Sequence, residues 1–290
     1  MKQFQQLAGR VDVIYHSGAA LQYTASYQDL KPINVKGTQE VLRFACAGRR
    51  IKPVHYVSTL SVFPTYTADT PPMHEETSIE FGYDGLEGGY AQSKWVAERL
   101  IMQARKRGLP VTVYRPSRIV FHSHLGLWNQ HDFLARATLG ILQLGSVPDI
   151  TGDYNLIPVD SVSRAIVELS RQPDTLGHTF HLTNSQPTSL EHWVAWLRSF
   201  GYSLRSLPYH AWYDELINQA QQNSELILAS LLMWFPLPSE IKDRHVTYPG
   251  FKTVIENQQT MERLRRLGIE IPSVTERMLH RFLTFVQQKK

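Results

Sequence analysis

The sequence predicts an α/β fold built on a doubly wound parallel sheet, and three observations predict it. Short β-rich runs recur at VDVIYH (11–16), PVHYVST (53–59), VTVYRP (111–116) and HTFHLTN (178–184). Between the first three lie segments whose apolar residues return at helical spacing, 34–48 and 89–107. The runs are apolar enough for strands covered on both faces, and strand–helix–strand repeats of this kind close right-handed into a parallel sheet.

The elements follow in order. The run 11–16 is a strand that ends in the small residues SGAA (17–20), which suit a turn or a backbone that a ligand approaches closely. The helix over 34–48 places Val35, Thr38, Val41, Leu42 and Ala45 on one face, with Asn34 standing where an N-cap belongs. A second strand over 53–59 leads into a polar, Pro-containing loop at about 64–87. The next helix runs from Gly89 to about Arg107, with Trp95, Val96, Leu100 and Ile101 inward and a stop at Gly108 and Pro110. After the strand 111–116 the rhythm loosens into a helix at 130–144 and another within 155–171, started by Pro158 and Asp160. The strand 178–184 is placed to return to the sheet. Helices follow at 189–200, 209–222, 225–235, 257–267 and 272–288, with Trp193, Trp196, Trp212 and Trp234 read as helix core.

Composition excludes several classes. At 42% hydrophobic and 19% charged residues the chain is folded, not disordered. The net charge of +4 comes from 30 basic and 26 acidic residues with no basic block, so no nucleic acid is expected as partner. One cysteine, Cys46, rules out an internal disulfide; its apolar helical setting predicts a core position, and the cytoplasm is the expected compartment. The longest apolar run, Leu226–Phe235, is far short of the roughly 20 residues of a membrane helix, so no membrane is expected either. It reads as a buried helix or an interaction surface.

The chemistry centres on Tyr90-Ala-Gln-Ser-Lys94, which puts a phenol and an ammonium one turn apart on one helix face. A lysine cation favours tyrosinate, making the phenol a usable proton donor near neutrality. The same spacing occurs at Tyr27 and Lys31 and at Tyr248 and Lys252. Pro249 and Gly250 interrupt the last, and Pro32 after Lys31 predicts a loop there. Only Tyr90 and Lys94 open a long helix behind a hydroxyl-ended strand, YVST (56–59). Thr59 at that strand end occupies the edge where open α/β sheets bind ligands and can hydrogen-bond a carbonyl, although a hydroxyl can also merely terminate a strand. Arg115-Pro116 reads as structural as readily as functional. His122-Ser-His124 suits one face of a strand but lacks a third ligand, so no metal is expected.

Taken together, VIYHSGAA, NVKGTQEVLRFA, HYVSTLSVF, GGYAQSKWVAERL, ARKRGLPVTVYRPSRI, NLIPVDSVSRAIVEL and FHLTN resemble the thioester reductase family. These are extended short-chain dehydrogenases/reductases, such as the terminal reductase domains of non-ribosomal peptide and polyketide synthases and the carboxylic acid reductases. The resemblance covers about 11–200. It implies a Rossmann-type lobe over 1–120 with parts of 155–184, and a mostly helical substrate- and carrier-facing lobe over 121–154 and 185–290. It implies Thr59 as catalytic hydroxyl, Tyr90 as proton donor, Lys94 as the ribose-binding lysine and Asn34 as the catalytic asparagine. Gly18, Ala19 and Ala20 match the cofactor-edge loop; Val57, Ser58, Pro116 and Ile119 fall at cofactor-binding positions with Tyr90 and Lys94. The implied cofactor is NADPH in preference to NAD. The implied partner is an acyl or peptidyl carrier protein bearing a phosphopantetheine thioester, or a CoA thioester, reduced to aldehyde and possibly on to alcohol. The family's opening strand and GxxGxxG turn, which hold a pyrophosphate at a helix N-terminus, have no counterpart here. Met1 is therefore expected to fall beyond the first βαβ unit, and this polypeptide alone to bind cofactor poorly. Two alternatives stand beside this one: an NAD-dependent sugar-nucleotide epimerase or dehydratase, and a non-catalytic remnant or carrier-docking module.

Overall fold

The computed structural model describes residues 2–22, 24–64, 72–80, 82–129, 131–240 and 255–288. The chain opens with α1 (Lys2–Ala8), β1 (Ile14–His16), α2 (Tyr27–Lys31), a π-helical segment (Pro32–Lys36), α3 (Gly37–Ala45) and β2 (Val54–Val57). Next come α4 (Gly88–Lys106), β3 (Val111–Pro116), β4 (Arg118–Val120), α5 (Phe133–Leu144), β5 (Ser146–Pro148), β6 (Asp153–Tyr154), β7 (Leu156–Pro158) and α6 (Val159–Ser170). The remainder is β8 (Thr179–Leu182), β9 (Thr188–Ser189), α7 (Leu190–Ser199), β10 (Arg205–Leu207), α8 (Tyr209–Gln222), α9 (Gln258–Arg266) and α10 (Glu276–Gln288). Among the described residues, no helix is long and apolar enough to cross a membrane.

Two compact units result. The first comprises Met1–Ser117, Val162–Thr183 and Pro249–Glu270; the second Arg118–Ser161, Asn184–Tyr248 and Ile271–Lys290. The first holds a four-stranded parallel sheet in the order β1-β2-β3-β8. Every residue of β3 is buried, as a strand covered on both faces requires. Val54, Val111 and Val113 pack with Ala45 of α3 and with Ala97 and Ile101 of α4. Ile101 is fully buried, which contributes on the order of 2 kcal/mol. Among its described residues the second unit carries short strand pairs, β5 with β10, β4 with β7 and β6 with β9. Its core is aromatic, with Phe121, Trp193 and Phe282 at the centre.

The structure corrects several expectations. Tyr27–Lys31 is a helix, not a loop: Ser26 caps it with a full capping box to Asp29. The chain then runs through Pro32 without stopping, because a widened π turn absorbs the missing N–H. Lys31 accordingly stands over the Tyr27 ring, 5.7 Å from its centroid. Asn34 is thus interior to a continuous helical run and caps nothing. Cys46 is exposed, since α3 ends at Ala45 and the next residue has left the buried face. The apolar run over Ile227–Trp234 is 3-10, with Leu228 and Leu231 buried and Met233 exposed. His122 and His124 lie in a turn, not on a strand, and the His122 ring nitrogen accepts the amides of His124 and Leu125. The third Tyr–Lys pair, Tyr248 and Lys252, lies outside the described residues.

Candidate active site

Lys94 is the pivot. The second turn of α4 lays it beneath the end of β2, where it is 3% exposed. Its Nζ donates to the Tyr56 hydroxyl and to the Val57 carbonyl, both at 2.8 Å, and lies 4.3 Å from the Tyr56 ring centroid. Burial pulls the ammonium down to about 8, against the opposing pull of Glu98. Two of its three donors are thereby spent within the protein. Burial, reinforced by Glu98 and Tyr90, pushes the Tyr56 phenol well above its usual range.

Tyr90 sits one turn before Lys94 on α4 and is half-buried. Its position follows from how α4 begins. Gly89 abuts the turn before α2: a Cβ there would stand 2.5 Å from the Ala25 carbonyl oxygen and from the Tyr27 nitrogen. A glycine is what lets the helix start this close to that backbone.

Asn34 ties this corner together. Its side-chain oxygen accepts the Ala20 N–H at 2.8 Å and its nitrogen donates to the Ala20 carbonyl at 3.0 Å, so the loop after β1 is pinned through its backbone. The same nitrogen donates to Ser93 Oγ at 2.9 Å, and Ser93 donates in turn to the Tyr90 carbonyl. Thr38 donates to the Asn34 carbonyl and meets His16 Nε2 at 3.0 Å. Burial and the neighbouring Lys94 hold His16 down at about 4, so its imidazole is neutral at physiological pH.

Past Val57, strand alternation sends successive hydroxyls to opposite sides. Ser58 is buried and donates to Glu98, which also pairs with a wholly buried Arg115 at 2.6 Å. Thr59 is only partly buried and caps the 3-10 turn Leu60–Val62, where its hydroxyl receives the Ser61 amide at 3.2 Å. Arg115 meets His181 Nε2 at 3.1 Å, and His181 Nδ1 donates to the Glu256 carbonyl at 2.8 Å.

The sequence-predicted residues therefore divide. Lys94 with Val57, and Asn34 with Ala20 and the Tyr90 turn, are brought into direct contact. Ser58 faces the buried Glu98 side, while Gly18 and Ala19 are exposed beside β1. Pro116 closes β3 in register with Leu182, and Ile119 belongs to β4 of the second unit. Sequence reasoning misses Tyr56, Ser93, Thr38, His16 and the Glu98–Arg115 pair. For the pair one signal exists: Glu98 lies one turn after Lys94, on the face of α4 that turns to the sheet.

A nicotinamide dinucleotide fits two features of this corner. Lys94 retains a donor for a ribose hydroxyl. A Cβ at Gly18 would meet nothing within 4 Å, so the open backbone after β1 is not filled by the chain's own packing.

The family model described as male sterility protein, an NAD-binding domain, matches residues 1–166. The chain is similar to part of the linear gramicidin synthase of Brevibacillus parabrevis, with 33% identity over 98% of this chain and 5% of that protein. It is similar to the isonitrile lipopeptide synthase of Streptomyces coeruleorubidus, with 34% identity over 97% of this chain and 19% of that protein. It thus spans under a fifth of the length of these two curated relatives. Among solved structures, the terminal R domain of the myxalamid PKS-NRPS biosynthetic pathway matches with a TM-score of 0.88 and 39% identity, covering 99% of this chain and 71% of that one.

Proposed function

The chain belongs to the male sterility protein family of NAD-binding domains, within the extended short-chain dehydrogenase/reductase oxidoreductases, and from that premise we propose that it reduces an acyl thioester to an aldehyde. The single observation that carries the reading is Lys94, buried at the strand end and shared between Tyr56 and Val57, one turn from Tyr90. The synthase context of the relatives supports a carrier-bound phosphopantetheine thioester as substrate, with CoA thioesters as stand-ins.

Bound NADPH supplies the hydride. Thr59 and Tyr90 hold the thioester carbonyl oxygen by hydrogen bonds, and the Tyr90 phenol delivers its proton there as the carbon is reduced. Lys94 steadies the tyrosinate that remains and offers its third N–H to the ribose. Asn34, through Ser93, fixes the turn that carries Tyr90. The thiohemiacetal then breaks its C–S bond: its hydroxyl proton returns to Tyr90, the aldehyde leaves, and the carrier thiolate takes a proton from solvent. A second round gives the alcohol.

The test is NADPH oxidation with acyl-pantetheine thioesters, using the chain alone and with a Gly-rich βαβ unit of the family placed ahead of Met1. Aldehyde formation that Tyr90→Phe lowers at least about a hundredfold supports the reading. Absence of NADPH oxidation with every thioester in both forms overturns it.

A further inference from the structure

The second unit contains an apolar cavity of about 50 Å³ enclosed by α5, β5, α7, α8 and the Phe235-Pro236 turn. Phe133, Ala137, Trp193, Trp212, Tyr209 and Phe235 form much of its wall. The space is a few times the roughly 15 Å³ that one water needs, yet a water also needs polar partners. The wall offers few. The Trp193 indole N–H is given to Thr138, the Trp212 indole N–H to the Ser146 carbonyl, and the Tyr209 hydroxyl to the Pro236 carbonyl. Burial also pushes the Tyr154 phenol, another wall residue, up to about 12, so the wall carries no charge at neutral pH. A dry cavity of this kind gains free energy from apolar occupants and from nothing else. Partly exposed Ile141, Pro148 and Phe235 at its border give an occupant a way in.

We propose that this cavity receives the apolar end of a short, branched or unbranched acyl group, and so selects a hydrophobic acyl thioester over a small or charged one. The assignment of the occupant rests on the thioester-reductase reading; the apolar binding itself does not. The size limits the buried portion to a few carbons, an isobutyl or propyl end, because a benzene-sized guest takes a cavity about three times larger.

The experiment is equilibrium binding of S-acetyl-, S-isovaleryl- and S-succinyl-pantetheine to the chain, followed by tryptophan fluorescence, since Trp193 and Trp212 line the wall. Each methylene buried is worth roughly fourfold in affinity. Isovaleryl is therefore expected to bind at least about tenfold tighter than acetyl, with succinyl no better than acetyl. Ala137→Leu fills the space and is expected to reduce the isovaleryl advantage to under about twofold while leaving acetyl unchanged. Ile141→Ala enlarges it and moves the preference to a longer chain such as hexanoyl, a readout that survives if the filled variant does not fold. Equal binding of acetyl and isovaleryl by the parent chain, or an advantage that neither variant changes, overturns the proposal. If the apolar preference is present but no thioester is ever reduced, the cavity stands and the reductase reading fails.

Discussion

Among single residues, the site turns on how one amine is shared. Tyr56 accepts a hydrogen bond from the charged form of Lys94, so removing that acceptor lowers the amine's affinity for its proton further. Tyr56→Phe is expected to move the alkaline limb of the rate profile, set by a Lys94 at about 8, to lower pH. The initial rate measured from mildly acidic to alkaline pH checks this, and a limb that stays in place removes Tyr56 from the site. Asn34→Ala cuts both the Ala20 pin and the Ser93 link. Its expected effect is a loss of rate on the order of tenfold or more, because a misplaced Tyr90 costs orientation. Tyr90 and Lys94 are legible because their spacing can be weighed against two decoys, and only they open a long helix behind a hydroxyl-ended strand. Tyr56 is not legible. Its partner lies 38 positions away, and a tyrosine in a strand looks the same whether its hydroxyl meets a lysine or merely ends in the core.

Among the elements, α4 does two jobs from two faces. Its first turn presents Tyr90, and its third turn buries Glu98 against Arg115 of β3. Glu98→Ala leaves a guanidinium buried without its counter-charge, for which about 3–5 kcal/mol of destabilisation is expected by denaturant titration. Replacing both partners with apolar residues of similar volume is expected to cost far less. Gly89→Ala forces α4 away from the Ala25–Tyr27 backbone, so activity should fall together with stability, read as kcat against Tm. The strands and long helices are legible from periodicity, since β3 and α8 begin and end where turn residues say they should. The helical run through Pro32 is not, because the rule that proline disfavours helix before it gives way when a π turn spares the clash. Asn34 reads as a cap for the same reason.

Across the molecule, contacts distant in sequence set the response to acid. The Thr260 amide and hydroxyl both reach the Glu75 carboxylate, across 185 positions. In the same unit His181, held down at about 3 by burial and by Arg115, must be neutral to accept from that guanidinium. The unfolded imidazole binds its proton near 6.5, so this contribution is complete above that pH and is lost as the pH falls toward 3. Stability should therefore drop steeply between those values, by on the order of 4 kcal/mol from this group, and His181→Asn should flatten the slope of Tm against pH. No local pattern announces such pairings, which is why the composition and the rhythm of elements are readable and this network is not. The low proton affinity of Lys94 carries a further consequence. An amine that is largely uncharged a little above neutrality is a nucleophile, but this one is shut inside. Acylating reagents can modify it only while the first unit breathes, so its labelling rate counts those openings, and a nucleotide that seals the corner should slow the count.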